Sequence, residues 1–148
     1  MISSKMPKTI NILLVEDSQS DANLTIREFK KSKIPNTLHW VEDGESAIAY
    51  LRKQDEYANA ASCDLILLDL NLPGMDGQEV LAEVKSDPDL KQIPVVVLTT
   101  SADEHDVLTS YNLNANCYLT KPVDIQQFLH IVRMIDSFWL AAVRLPPD

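Results

Sequence analysis

The chain has 148 residues, enough for one domain with a substantial core and too few for two domains of ordinary size. Hydrophobic residues make up 45% and charged residues 24%, the profile of a soluble globular protein, and the net charge of −9 speaks against nonspecific binding to nucleic acid or an anionic membrane, whose phosphates would be repelled. No apolar run approaches the roughly 18 residues of a membrane span, and the start of the chain makes a poor signal peptide because Asn11 interrupts its apolar stretch and Glu16-Asp17 closes it.

Residues 1–8 read as a loose tail. Ile10 to Val15 is a strand candidate, apolar but for Asn11 and closed by Glu16-Asp17. Ser18 to about Lys31 has helical spacing, with Lys30, Lys31 and Lys33 crowding its end, where cations suit the helix dipole. Thr37 to Val41 alternates well enough for a second strand. Asp43-Gly44 turns into a helix from Glu45 to about Lys53. Gln54 to Ser62 is polar and without periodicity, a longer connection than the usual few residues. Asp64 to Leu68 is a third strand, apolar on every position after its first residue, as expected of a parallel strand buried on both faces. It runs straight into Asp69, and Pro73, Gly74 and Gly77 turn the chain before a helix from Gln78 to Ser86. Ile93 to Leu98 is a fourth strand, ending in Thr99-Thr100-Ser101. Ser101 and Glu104 form a capping-box pair for a helix to about Tyr111. Ala115 to Leu119 is the fifth strand, followed by Thr120-Lys121-Pro122. Asp124 with Gln127 caps a last helix to roughly Trp139, and residues 141–148 are a short tail.

Five short strands alternating with five helices over residues 9–140 predict a doubly wound α/β domain, with a parallel sheet covered on both faces. By analogy with flavodoxin-like folds the strand order is 2-1-3-4-5, which makes strands one and three neighbours. Cys63 and Cys117 lack metal-ligand spacing and read as small buried hydrophobes, so the expectation is a reduced, cytoplasmic protein. His39, His105 and His130 are scattered and read as ordinary surface or half-buried residues.

Taken alone, Asp69 merely ends a strand and caps a turn. The other strand ends change that. Parallel strands deliver Glu16 and Asp17, Asp69, Thr99 and Lys121 to one edge of the sheet. Crowded carboxylates repel and raise one another's pKa values, which a hard divalent cation or a lysine relieves. An aspartate beside magnesium, a hydroxyl and a lysine is equipped to receive a phosphoryl group.

Val15-Glu16-Asp17, Leu68-Asp69-Leu70-Asn71-Leu72-Pro73-Gly74-Met75-Asp76-Gly77, Leu98-Thr99-Thr100 and Tyr118-Leu119-Thr120-Lys121-Pro122 together resemble the receiver domain of two-component response regulators, the CheY-like superfamily, over about residues 9–138. The resemblance implies that Asp69 is the phosphoacceptor. It implies Mg2+ held by the carboxylates of Asp17 and Asp69, by the backbone carbonyl of Asn71, and by Glu16 through water. It implies phosphoryl contacts from Thr99, Thr100 and Lys121, a switch role for Tyr118, and a cis peptide at Pro122. The partner it implies is a sensor histidine kinase, with signalling by protein–protein interaction rather than enzymatic turnover beyond slow self-dephosphorylation.

Three further features resemble the single-domain response regulators of cyanobacterial phytochromes: the long connection at 54–62, the tail after Phe138, and a second apolar stripe on the last helix. Ile125, Phe128, Leu129, Val132, Ile135 and Trp139 form one stripe, expected to face the sheet. Ile131, Met134 and Phe138 form another beside it, a candidate homodimer face. The alternatives are a Mg2+-dependent hydrolase that turns over an aspartyl phosphate, and a degenerate receiver that binds partners without phosphorylation.

Overall fold

The structure, a computed structural model, describes residues 9–33, 35–99 and 117–133, with the backbone alone for Cys117 and residues 131–133. Its elements in order are β1 (Ile10–Val15), α1 (Gln19–Lys30), β2 (Asn36–Val41), α2 (Gly44–Leu51), a short 3-10 helix (Asp55–Tyr57), β3 (Leu65–Asp69), α3 (Gly77–Ser86), β4 (Val95–Thr99), β5 (Cys117–Thr120) and α4 (Ile125–Arg133). The sequence-predicted helix at 101–111 with its Ser101–Glu104 box lies outside the described residues. So do Thr100, Met134, Phe138, Trp139 and the side chain of Ile131.

All five strands are parallel, in the order β2-β1-β3-β4-β5. The period-two alternation of each strand explains why both faces carry helices. On one face Ile12, Leu14, Leu65, Leu67, Val96 and Leu98 pack with Phe29 of α1 and Phe128 of α4. Those two rings meet edge to face, 4.8 Å between centroids. On the other, Leu13, Val15, Ile66, Leu68, Val95 and Val97 pack under α2 and α3. Each such side chain taken from water contributes about 1.5–3 kcal/mol. That driving force is large enough to hold several acids together at the sheet edge.

The helix starts follow their capping residues. Ser18 accepts from the Asp21 N–H at 3.3 Å and Asp43 from the Ser46 N–H at 2.7 Å. Asp76 and Glu79 form a reciprocal capping box on α3 that the sequence reading did not single out. Asp124 caps α4 through the Gln126 N–H at 3.0 Å, not through Gln127.

One local expectation needs correction. Gly77 is the first residue of α3 rather than part of the turn. A Cβ there would lie 2.5 Å from the Asp69 carbonyl oxygen, so glycine lets the helix start press against the end of β3. Of the three glycines only Gly74 has positive φ, at 67°. The connection at 54–62 holds one short 3-10 turn. Its 3-10 turn brings Tyr57 against Tyr50 and against His39, which stacks on Tyr50 at 4.4 Å. Local periodicity cannot reveal such a cluster, because its partners come from β2 and α2.

Candidate functional site

The register of the sheet builds the site. Val15 pairs with Leu68, so the next residues, Glu16 and Asp69, come abreast at the carboxyl ends of β1 and β3. Asp69 in turn pairs with Leu98, and Thr99 with Thr120, which brings Thr99 and Lys121 to the same edge. The Lys121 N–H donates to the Thr99 carbonyl at 2.7 Å, and the Lys121–Pro122 peptide is cis.

Glu16 is clamped from β2. Its N–H donates to the Val41 carbonyl at 3.0 Å, and its own carbonyl accepts from the Trp40 indole N–H at 2.7 Å. Its side chain is 0% exposed, and that of Asp69 lies in a residue only 3% exposed, whereas Asp17 faces solvent. One carboxylate oxygen from each of Glu16, Asp17 and Asp69 falls within 4.8 Å of the others. The Asn71 N–H donates to Asp69 Oδ1 at 3.3 Å, which fixes the start of the loop that follows. Tyr118 is half-buried and packs against the core under α2 and α3.

The ammonium of Lys121 closes the pocket. Its Nζ lies 3.1 Å from Glu16 Oε1, 3.1 Å from Asp21 Oδ2 and 3.4 Å from Asp69 Oδ2. The consequences for charge are opposite on the two sides. Burial, then contact with Asp69 and its charge, pushes the Glu16 carboxyl up to about 7 against the pull of Lys121 and the Ser18 N–H. For Lys121 burial alone would lower the pKa. The hydrogen bond to Asp21 and the charges of Asp69 and Glu16 together outweigh burial and shift it upward.

A divalent cation fits this donor set. The ligands are hard carboxylate oxygens, one of them from an exposed side chain with room for water. Burial first, and then Asp69, raises the Glu16 carboxyl even with Lys121 in contact, and a cation held there would offset both. The Thr99 hydroxyl adds a second sign of a missing ligand. Thr99 is 1% exposed, and its buried Oγ1 has no hydrogen-bond partner among the described residues. An anion with spare oxygens would satisfy it. Thr99→Val should therefore leave the resting protein as stable as before, or more stable by about 1 kcal/mol, because an unpaired buried hydroxyl is replaced by a methyl. The same change should weaken a bound phosphoryl group by about 1.5–3 kcal/mol, the worth of one hydrogen bond to a charged group. Thermal melts and phosphoprotein lifetime measured on one preparation check both halves.

Two participants escaped the sequence reading. Asp21 stands in the first turn of α1, and nothing near it in sequence points to Lys121, 100 positions on. Trp40 carried no local signal, since its bond to Glu16 depends on the β1–β2 register.

Fold and edge together define a flavodoxin-like α/β domain with an acidic, cation-seeking pocket at its switch point. The chain belongs to the response-regulator family: the response regulator receiver domain matches residues 12–133. It is 53% identical over 143 residues to the response regulator Rcp1 of Synechocystis sp., covering 97% of this chain and 96% of that protein. The Mn2+-bound form of Rcp1 is a structural neighbour with a TM-score of 0.71 at 53% identity, over 93% of this chain and 99% of that one. The phosphorylated cyanobacterial phytochrome response regulator RcpA gives 0.73 at 51% identity, over 95% and 100%. The bacteriophytochrome response regulator AtBRR gives 0.83 at 39% identity, over 90% and 96%. Among the described residues no helix is long and apolar enough to cross a membrane.

Proposed function

We propose that this receiver domain is switched by phosphorylation of Asp69 by a sensor histidine kinase and signals through a changed protein–protein contact. The observation that carries the proposal is Lys121 Nζ, 3.4 Å from Asp69 Oδ2 in a pocket where three carboxylates converge. In the transfer, an Asp69 carboxylate oxygen forms a bond to phosphorus as the P–N bond of the kinase phosphohistidine breaks. The electron pair leaves with the imidazole nitrogen, which takes up a proton. Lys121 faces the charge that gathers on the phosphoryl oxygens, and the Thr99 hydroxyl, with Thr100 beside it in sequence, supplies a donor to one of them. The carboxylates of Asp17 and Asp69, the Asn71 carbonyl and, through water, Glu16 are the groups that would hold Mg2+, which when bound offsets the same charge. Tyr118 pairs with Val97 on the neighbouring strand, two residues before Thr99, and its ring is the group that would respond when the Thr99 side chain moves.

Similarity to the cyanobacterial phytochrome response regulator RcpA supports a phytochrome-type kinase as phosphodonor, and a cytoplasmic location is proposed with it. The test is incubation with Mg2+ and acetyl phosphate, followed by intact mass. A gain of one phosphoryl group per chain is expected. Steady turnover of phosphoesters would favour the hydrolase instead, and no adduct the degenerate receiver. A homodimer through Ile131, Met134 and Phe138 is proposed from the sequence stripe. Sedimentation with Mg2+ and beryllofluoride should show the dimer, and a monomer at high concentration would contradict it.

A further inference from the structure

We propose that Asp21 is a holding carboxylate that competes with the incoming phosphoryl group for Lys121. The inference rests on the reading of Asp69 as phosphoacceptor. An ammonium has three N–H donors, and three carboxylates already surround this one, at 3.1 Å for Glu16, 3.1 Å for Asp21 and 3.4 Å for Asp69. A phosphoryl group on Asp69 brings further acceptor oxygens to the same place. For Lys121 to serve them, a present partner must let go.

Burial decides which one. Glu16 is fully enclosed, and parting it from Lys121 would leave a buried carboxylate unpaired. The side chain of Asp21 is 40% exposed. It borders an open hollow of about 320 Å3 lined also by Leu24, Thr25, Pro122 and Val123, so water can replace the ammonium at little cost. Glu16 and Asp69 still hold Lys121 once Asp21 withdraws, so the lysine keeps its place. Asp21 is thus a positioning residue. It restrains the lysine in the resting protein and is the partner given up on phosphorylation.

Charge gives the same sign. Asp21 adds a further carboxylate around Lys121, beside Glu16 and Asp69. Its negative charge favours a cation in the pocket and disfavours an anion there. A purely structural residue would not move the two in opposite directions.

The test is calorimetric titration of the full chain, first with Mg2+ and then with beryllofluoride at saturating Mg2+. Asp21→Asn is expected to bind beryllofluoride about two- to fivefold tighter and Mg2+ more weakly, the scale of one partly exposed ion pair. Asp21→Glu, which keeps the charge on a longer arm, should fall between Asp21→Asn and the unsubstituted protein. Raising the salt to about 0.5 M should narrow the differences, because exposed charges are screened. Beryllofluoride binding that is unchanged or weaker in Asp21→Asn, with the unsubstituted protein binding normally, overturns the competition. An unsubstituted protein that neither binds beryllofluoride nor takes a phosphoryl group overturns the phosphoacceptor reading, and this inference with it.

Discussion

Asp69→Asn is expected to take no phosphoryl group from acetyl phosphate in Mg2+, where the unsubstituted chain takes one. The amide keeps the shape of the carboxylate, so the turn to Asn71 and the start of α3 can persist. What it loses is the anionic oxygen that forms the bond to phosphorus. Stability should not fall with activity. Asp69 pushes the Glu16 carboxyl upward by contact and by charge. Neutralising it relieves that repulsion, and the variant should unfold at the same denaturant concentration or one corresponding to about 1 kcal/mol more stability, the worth of a modest pKa relaxation. Mg2+ affinity should drop, since one of three converging carboxylates is gone. A folded variant that still gains the full phosphoryl mass would move the acceptor elsewhere.

Lys121→Ala should produce the second large effect, and it works through charge. Removing one preorganised donor to the transferred oxygens costs about 10²–10³ in rate. Phosphorylation by acetyl phosphate should slow by that order. The resting protein is affected too, because Lys121 is the cation that partners Glu16, Asp21 and Asp69. Even with Lys121 present, the folded Glu16 binds a proton up to about pH 7, against 4.5 for an ordinary glutamate. A carboxyl whose folded pKa is raised contributes fully below its unfolded value, and that contribution is lost as pH rises through the folded value. Without added metal, stability should therefore decline between pH 4.5 and about 7. In Lys121→Ala the decline should be steeper and extend higher. Saturating Mg2+ should flatten both curves. Chemical denaturation at several pH values, with and without Mg2+, reads all of this. A flat profile in metal-free Lys121→Ala would contradict the assigned charge balance.

The sheet was legible because β1, β3 and β4 are short, largely apolar and closed by a polar residue, while β2 alternates. The pattern therefore identified Val15, Leu68 and Leu98 as the last apolar positions before the edge, even though β3 and β4 each extend one residue further, to Asp69 and Thr99. Those residues were reachable for the same reason: a charge or hydroxyl that stops a buried strand is conspicuous. Legibility ended where partners are distant in sequence. Asp21 and Lys121 are 100 positions apart, and nothing near either announces their bond. Trp40 looked like one more strand aromatic until the β1–β2 register set its indole against the Glu16 carbonyl. The glycines were read by their turn chemistry, which holds for Gly74. Gly77 answers to a different demand, the close approach of α3 to β3.

The central claim is that acids from β1 and β3, with a lysine after β5, make one pocket in which Asp69 alone takes the phosphoryl group. Reductive trapping of the acyl phosphate with borohydride, followed by peptide mass mapping, tests it most directly. The account predicts modification at Asp69 and at no other residue. Label on Asp17, on Asp21 or on any other aspartate or glutamate would contradict it.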